Sequence, residues 1–291
     1  IEHLSHPGFV HEAVFHDGPA ALAASVAPDV LDGMARGDAV LVCLGEPDWA
    51  HLAGALGARA ADVSVLAPDV RYGRPGVAMA TLHRFVDDAV AAGASSAWSI
   101  GTIPFDGTAR DRRWFRYEHA VQDVLGHLPL RAVCTYDTAS MPPEVLAAAR
   151  VAHHDDVGPL PPVALAPAAP PVVDMAPHDA TSVRNAVGAA FAGPWAVERL
   201  DDLRLITSEL VTNALRHGRR PVTVRAWDVD GDALLQVTDH GVGWTDRYPD
   251  LRANRGTAAG GYGWWLIGQL ADGVEVVVGE GGTVVTVTVR R

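Results

Sequence analysis

The stretch from Leu203 to Gly218, LRLITSELVTNALRHG, constrains this chain more than any other part of its sequence. Its apolar residues recur at three- and four-residue intervals, which predicts one amphipathic helix with a buried face. The residues of that face are Leu203, Ile206, Leu210 and Ala214. Glu209, Asn213 and His217 follow one another at intervals of four residues and therefore share a stripe beside the buried face.

The helix alone leaves two interpretations of this polar stripe open. A carboxylate and an amide that lie close to a core are costly to bury without partners, which indicates a functional site. A stripe that simply faces solvent explains the same spacing equally well. Other parts of the sequence have to decide between the two.

Two glycine-containing stretches follow the helix. Asp239-His240-Gly241-Val242-Gly243 comes after an alternating apolar run, and Gly260-Gly261-Tyr262-Gly263 precedes an apolar helical run. Each motif is weak by itself because glycines usually mark turns. The helix and the two motifs in this order form a much more specific pattern. Together they resemble the N, G1 and G2 boxes of the ATP-binding GHKL superfamily, whose fold is the Bergerat α/β sandwich.

The ELVTNALRHG form and the short loops resemble most closely the anti-sigma-factor serine kinases of the RsbW and SpoIIAB type. This resemblance implies ATP and Mg²⁺ as cofactors. It makes Glu209 the catalytic general base for a serine or threonine hydroxyl and Asn213 the Mg²⁺ ligand. The residues expected at the nucleotide are Asn213, Asp239, Gly241, Gly243, Gly261 and Gly263, together with Arg216.

The chemistry of these residue types suits a bound nucleotide. In the fold that the chain resembles, Asp239 accepts a hydrogen bond from the adenine amino group. Gly261 and Gly263 open a helix whose free N–H groups bind phosphates. Any positively charged side chain that binds the phosphates must be an arginine, because all 23 basic residues are Arg. Trp264 and Trp265 depart from the small or aliphatic residues usual at this place, so ATP binding is better supported than phosphoryl transfer.

The segment from Trp244 to Ala259, between the two glycine motifs, has no periodicity and is the predicted lid. Its three arginines, Arg247, Arg252 and Arg255, are further candidates for contacting phosphates, and solvated loop charges explain them equally well.

Three functions are compatible with these motifs. The first is a serine/threonine kinase whose partners are an anti-sigma-factor antagonist with a STAS domain, a sigma factor, or both. The second is a nucleotide-gated sensory binding module without kinase activity. The third is a histidine kinase, which needs a phosphoacceptor histidine on a long helix where this chain has a Pro-rich stretch.

The first half of the chain alternates predicted strands and helices, which indicates an α/β domain with a mostly parallel sheet. Ala39–Leu44 and Val63–Leu66 are the apolar runs expected of buried strands. The segments HEAVFHD, AVLVCL, RYEH and CTYD, which begin at His11, Ala39, Arg116 and Cys134, resemble the MEDS sensory domain, with its RecA-like core. The resemblance implies that this half senses a small-molecule ligand.

The first half shows little other site chemistry. The loop after Leu44 lacks the second glycine and the lysine of a phosphate-binding P-loop, which excludes nucleotide hydrolysis there. Cys43 and Cys134 lie in apolar runs, so we expect buried, inert thiols. The run His153–Asp156 has metal-binding atoms, but a solvated helix end explains it better. Arg116 and Glu118 either line a sensory pocket or remain unexplained by the packing of an amphipathic helix.

Length and composition set the domain organisation. A chain of 291 residues is long enough for two domains. The Pro- and Ala-rich residues 158–177 predict a linker between a sensory domain at 1–157 and an ATP-binding domain at 178–291.

A net charge of −12 without a basic stripe argues against direct binding to nucleic acid. Without an apolar run that could span a bilayer and without a signal peptide, we expect a cytoplasmic protein and no membrane contact; a homodimer stays open.

Overall fold

The computed structural model describes residues 8–108, 111–153, 160, 166–193, 195–242, 246–253, 262–279 and 281–291. The chain divides into two compact units, Ile1–Leu160 and Pro161–Arg291. The first unit contains a parallel sheet and the second an antiparallel sheet, and each sheet is accompanied by helices. The predicted α/β class is therefore confirmed for both halves. Across the ranges just given, no helix combines the length and the apolarity needed to cross a bilayer.

The first unit alternates strands with helices. Its strands are β1 (Val10–His16), β2 (Ala39–Cys43), β3 (Ser64–Val65), β4 (Ala97–Gly101) and β5 (Leu130–Asp137). Its helices are α1 (Pro19–Arg36), α2 (Glu46–Leu56), α3 (Pro68–Arg71), α4 (Pro75–Ala91), α5 (Arg112–Leu125) and α6 (Pro143–Ala152), with a 3-10 helix at Gly57–Asp62. The strands are all parallel, in the order β1-β5-β4-β2-β3. Parallel neighbours require crossover connections, and the helices supply them.

Burial in this sheet follows the apolar runs. All of β4 is buried, and so is β2 after Ala39, as expected for strands covered on both faces. The prediction of a buried strand over Val63–Leu66 is wrong in length and burial. β3 contains only Ser64 and Val65, and both are exposed, because β3 is the edge of the sheet and pairs with β2 alone.

Two polar residues of α5 lie in the interior. Arg116 and Glu118 are 5% and 1% exposed. Burial by itself raises the pKa of Glu118, but the imidazoles of His153 and His11 and the hydroxyl of Tyr136 outweigh it and lower that pKa to about 2. Glu118 is therefore a buried carboxylate that keeps its negative charge.

The end of α6 corrects the sequence interpretation of a solvated helix end. The side chain of His153 is only 4% exposed, and its Nε2 lies 3.4 Å from Glu118 Oε2. The packing of α6 against α5 turns this histidine inward, which periodicity within α6 could not indicate. Residues 154–156 of the same run lie outside the described ranges.

The second unit carries its helices on an antiparallel sheet. Its strands are β6 (Val173–Met175), β7 (Thr223–Val229), β8 (Asp232–Asp239), β9 (Gly273–Gly279) and β10 (Gly282–Val289). Its helices are α7 (Ala180–Ala190), α8 (Val197–His217) and α9 (Tyr262–Leu270). The order is β6-β7-β8-β10-β9, and the paired strands are antiparallel. β6 forms inside the Pro-rich residues 158–177, which the sequence predicted to be a linker.

The central helix α8 begins at Val197, six residues before the predicted Leu203. Its predicted apolar face is buried against the sheet: Leu203 and Ile206 are fully buried, and Leu210 and Ala214 are 2% and 7% exposed. The core that they join includes Val183 and Val187 of α7, Val224 and Ala226 of β7, Leu235 and Val237 of β8, Ile267 of α9, and Val285 and Val287 of β10. The amphipathic pattern of α8 therefore determines which residues are buried and leaves the polar stripe outside the core.

A buried ion pair ties the start of α8 to the opposite end of the sheet. The guanidinium of Arg199 donates to Asp272, to the carbonyl of Leu270 at 3.2 Å and to the carbonyl of Arg290 at 3.1 Å. The side chains of Arg199 and Asp272 are 17% and 7% exposed. Asp272 also accepts from the backbone N–H of Arg290 at 2.8 Å. This network joins α8, the end of α9 and the end of β10.

A tight turn at Asp230 and Gly231 joins β7 to β8. Asp230 has a φ of 55° and Gly231 a φ of 90°, the positive values that a tight two-residue hairpin of strands requires. This turn fixes the register of the hairpin, with Thr223 opposite Thr238. Asp239 consequently lies at the end of β8, close to the end of α8.

Candidate functional site

The polar stripe of α8 meets the ends of β8 and β10 at a cleft. Glu209 and Asn213 are half-buried, and His217, one turn further, is exposed. The cleft has a volume of about 80 Å³. Its lining consists of Leu210, Asn213, Ala214, His217, Gly218, Val237, Asp239, Gly241, Trp264, Thr283 and Val285. A mostly apolar wall with a few directed polar groups is typical of a small-molecule site.

Asp239 is held in a fixed orientation at the end of β8. Its Oδ1 accepts a hydrogen bond of 2.7 Å from the backbone N–H of Gly241. The next residue is also anchored, because the N–H of His240 donates to the carbonyl of Arg219 at 2.8 Å. A carboxylate fixed in this way can accept a hydrogen bond from a ligand with little loss of side-chain entropy.

Gly218 gives Asp239 the space it occupies. A β-carbon on residue 218 would lie 2.4 Å from Asp239 Cγ and 2.6 Å from the carbonyl oxygen of Ala214. Its φ of −82° is open to any residue, so glycine is required by the close approach and not by the backbone. A glycine directly after a helix is already explained by helix termination, so the sequence pattern does not reveal this second role of Gly218.

The start of α9 approaches the middle of α8. A β-carbon on Gly263 would lie 2.4 Å from Glu209 Oε2 and 3.8 Å from Asn213 Nδ2. The first turn of a helix carries N–H groups without intrahelical partners and a partial positive charge. The carboxylate of Glu209, the amide of Asn213 and the start of α9 therefore converge.

Asn213 Nδ2 is buried and has no hydrogen-bond partner among the residues that the structure describes. An unsatisfied buried polar group costs roughly 1–3 kcal/mol. A ligand in the cleft that offers an acceptor would remove this cost. The Asn213 amide therefore lies where a bound ligand with a hydrogen-bond acceptor would be stabilised.

The other residues expected at the nucleotide lie elsewhere or outside the described ranges. Gly243 and Gly261 fall in the ranges 243–245 and 254–261, which the structure does not describe. Arg216 lies on the exposed side of α8 and is not part of the cleft lining given above. Thr283 of β10 lines the cleft although nothing in the sequence distinguished it from other strand threonines.

The predicted lid is partly folded. Tyr248 and Leu251 are 5% and 2% exposed, and Arg252 forms an ion pair with Asp246. A β-carbon on Gly268 of α9 would lie 1.9 Å from the carbonyl oxygen of Asp250, so residues 246–253 pack closely against α9. Arg255 lies outside the described ranges.

The two tryptophans have different environments. Trp264 packs against the core and also lines the cleft. The ring of Trp265 lies 5.2 Å from that of Tyr262, centroid to centroid. Trp264 therefore contributes to the packing of α9 and also shapes the space that a ligand in the cleft can occupy.

The three-helix antiparallel sandwich, with a fixed aspartate at a strand end and a glycine helix start beside Asn213, defines an ATPase domain of the GHKL class. Residues 174–289 match the family described as "Histidine kinase-like ATPase domain". Residues 10–154 match the family described as "MEDS: MEthanogen/methylotroph, DcmR Sensory domain". The chain is therefore a fusion of a MEDS domain with a histidine kinase-like ATPase domain, as the sequence motifs predicted.

Among solved structures, the chain is similar to the blue-light activated histidine kinase of Erythrobacter litoralis EL346. The two share 22% identity over 38% of this chain and 39% of that chain, with a TM-score of 0.28. This chain thus spans about two fifths of that kinase. No curated protein matches this sequence significantly.

Proposed function

We propose that this chain is a regulatory protein kinase that binds ATP with Mg²⁺. Its substrate would be a serine or threonine of an anti-sigma-factor antagonist with a STAS domain, and it would also bind the sigma factor. The MEDS domain would act as the sensor that regulates it. The observation that carries the proposal is the placement of the Glu209 carboxylate against Gly263 at the start of α9, on one stripe with Asn213.

The residues of the cleft fit a magnesium–adenine nucleotide. Asp239, oriented by Gly241, would accept from the adenine amino group and would disfavour guanine, whose O6 is itself an acceptor. The Asn213 oxygen is a neutral hard ligand suited to Mg²⁺, and its orphaned Nδ2 would donate to a phosphate or to a water on the ion. The apolar lining from Leu210, Val237 and Val285 suits the flat base.

Glu209 supports phosphoryl transfer to a hydroxyl. ATP, when bound, supplies the γ-phosphoryl group, and Mg²⁺ neutralises its charge. Glu209 would orient the substrate hydroxyl and accept its proton. The free N–H groups at the start of α9, close to Glu209, would hold the phosphates. The proposed base and the proposed phosphate-binding groups thus lie next to each other.

Trp264 favours a second candidate function, a nucleotide-gated binding module without transfer. Its indole lines the cleft next to Gly263, where the family pattern has a smaller residue. An indole there could bind a nucleotide by stacking while leaving too little room for a substrate hydroxyl. In that case the chain would hold and release a partner according to the bound nucleotide.

The deciding experiment is incubation of the full chain with labelled ATP, Mg²⁺ and candidate STAS-domain antagonists. We expect phosphate on serine or threonine of the antagonist. Glu209→Gln should reduce the transfer rate by roughly a hundredfold or more, the usual scale of a general base, while ATP affinity in calorimetry stays unchanged. Glu198→Gln, in the exposed first turn of the same helix, is the matched control.

The outcomes separate the two candidates. Mg²⁺-dependent ATP binding without any transfer by the wild type would exclude the kinase and support the nucleotide-gated binding module. Equal transfer rates for Glu209→Gln and the wild type would remove Glu209 from the mechanism. No ATP binding at all would contradict both functions.

A further inference from the structure

Four side chains with metal-binding atoms meet in the interior of the MEDS domain, far in sequence from the ATP-binding motifs. His11 Nε2 and Cys134 Sγ lie 3.0 and 3.5 Å from Glu118 Oε2, and they lie 3.5 Å from each other. His153 Nε2 lies 3.4 Å from the same carboxylate oxygen. All four ligand atoms lie within 4.8 Å of one another.

The cluster is formed by four separate elements. In the β1/β5 pairing His11 is opposite Ala132 and Ala13 is opposite Cys134, so His11 and Cys134 are diagonal neighbours on one face of the sheet. Glu118 comes from α5 and His153 follows α6, the two helices that pack together. The side chains of His11, Glu118 and His153 are 6%, 1% and 4% exposed, and Cys134 is 9% exposed.

Neighbouring groups orient these side chains as metal ligands are usually oriented. Nδ1 of His153 lies 2.8 Å from the carbonyl of Ala149, which places the ring proton on Nδ1 and leaves a lone pair on Nε2. The Tyr136 hydroxyl donates to Glu118 Oε1 at 2.9 Å, which turns Oε2 toward the other three atoms. His153 Nε2 is buried and has no hydrogen-bond partner within the described ranges.

We propose that His11, Glu118, Cys134 and His153 form a binding site for a transition-metal dication, of which Zn²⁺ fits best. Bonds of about 2.0–2.3 Å to nitrogen, oxygen and sulfur put the ligand atoms of a tetrahedral zinc site about 3.3–3.8 Å apart. The four distances given above lie within a few tenths of an ångström of these values, and the two remaining pairs of ligand atoms lie within 4.8 Å of each other. Imidazole and thiolate select against Mg²⁺ and Ca²⁺, which prefer oxygen ligands.

Charge and protons balance in this site. In the metal-free cluster the Cys134 thiol donates a hydrogen bond to Glu118 Oε2. On binding, a metal–sulfur bond replaces the S–H bond and the thiol proton leaves to solvent. The proton that His11 Nε2 donates to Glu118 in the metal-free cluster moves to Nδ1 or to solvent, so that both imidazoles bind as neutral groups. One thiolate and one carboxylate then neutralise the two charges of the ion. Four protein ligands close the coordination shell, so the site would couple metal binding to the fold of the sensory domain.

The test uses the full-length chain, stripped of metal with a chelator and without nucleotide. Titration with Zn²⁺ should show one equivalent bound per chain, and Mg²⁺ should not compete. Co²⁺ should produce the thiolate-to-metal charge-transfer band and the intense visible bands of a tetrahedral ion. Cys134→Ser should abolish the charge-transfer band and weaken Zn²⁺ binding tenfold or more. Tyr136→Phe, which leaves all four ligands, should weaken it about tenfold.

Cys43→Ser is the matched control, because Cys43 is the other buried free cysteine and is not part of the cluster. It should keep both the stoichiometry and the Co²⁺ spectrum. Circular dichroism identifies any variant that fails to fold, and the wild-type Co²⁺ spectrum then decides alone. A folded wild type that binds no Zn²⁺, or a Co²⁺ spectrum without thiolate charge transfer, would overturn the proposal. The outcome does not depend on the proposed kinase activity.

Discussion

Gly218 and Asp239 approach so closely that a β-carbon on residue 218 would lie 2.4 Å from the Cγ of the aspartate. The last turn of α8 and the last residue of β8 therefore fit together only when residue 218 has no side chain. The same aspartate carries the proposed recognition of adenine, and its position depends on a glycine of another element.

Gly218→Ala should weaken ATP binding by tenfold or more. The added methyl group cannot move away easily, because it also meets the backbone oxygen of Ala214 at 2.6 Å, so Asp239 must shift and lose a charged hydrogen bond of about 1.5–3 kcal/mol. Calorimetry with ATP measures the loss. Gly279→Ala, where a β-carbon meets nothing within 4 Å, is the control. Equal affinities for both variants would show that Asp239 does not recognise the base.

Gly263→Ala should lower phosphoryl transfer by about tenfold or more, because the new β-carbon would lie 2.4 Å from Glu209 Oε2 and displace the proposed base. Folding stability should not fall, since alanine favours a helix by up to about 1 kcal/mol over glycine. Gly54→Ala in α2 is the control, because a β-carbon there meets nothing within 4 Å, and it should leave the transfer rate unchanged.

The double variant Gly263→Ala, Glu209→Gln shows whether the glycine acts through Glu209. If it does, the second substitution adds almost nothing to the loss caused by Glu209→Gln alone. Additive losses in the transfer rate would mean that Gly263 contributes in another way, for example through the phosphates.

Arg199→Met should lower the free energy of unfolding of the ATPase domain by about 1.5–3 kcal/mol, because the buried carboxylate of Asp272 loses its charged hydrogen bond to Arg199 and keeps Arg290, at 3.3 Å, as an ion-pair partner. Urea unfolding followed by circular dichroism measures this change. Arg225→Met removes an arginine whose ion pair with Asp174 is about half exposed, and it should change stability by less than about 1 kcal/mol. Similar losses for both variants would argue against a special role for the Arg199 network.

Deletion of residues 1–157 should leave an ATP-binding domain whose partner affinity or transfer rate differs about fivefold or more from that of the full chain. A sensor that regulates the second domain must supply a coupling free energy, typically about 1–3 kcal/mol. The comparison is made at matched ATP, with and without small molecules from a cell extract. If all values are identical, the MEDS domain is a tether or a separate binding module.

The sequence alone determined those parts of the protein that depend on residues close together in the chain. The helix around Glu209 and Asn213, the hairpin at Asp230 and Gly231, and the strand that ends at Asp239 all follow from apolar periodicity and turn chemistry. The order of the three motifs also predicted the ATPase family, because three short signals with a fixed order are specific even when each is weak. The four short segments of the first half predicted the MEDS family.

Only the tertiary structure decided which of these local faces meet. Gly218 has no local signature of its contact with Asp239, and the strand β6 lies in a stretch whose composition indicates a linker. His11 and Glu118 are 107 residues apart in sequence, and His11 and Cys134 are 123 residues apart. A periodic pattern states that a side chain faces inward but not which side chain faces it from another element, because that partner is selected by strand order and helix packing across the whole domain.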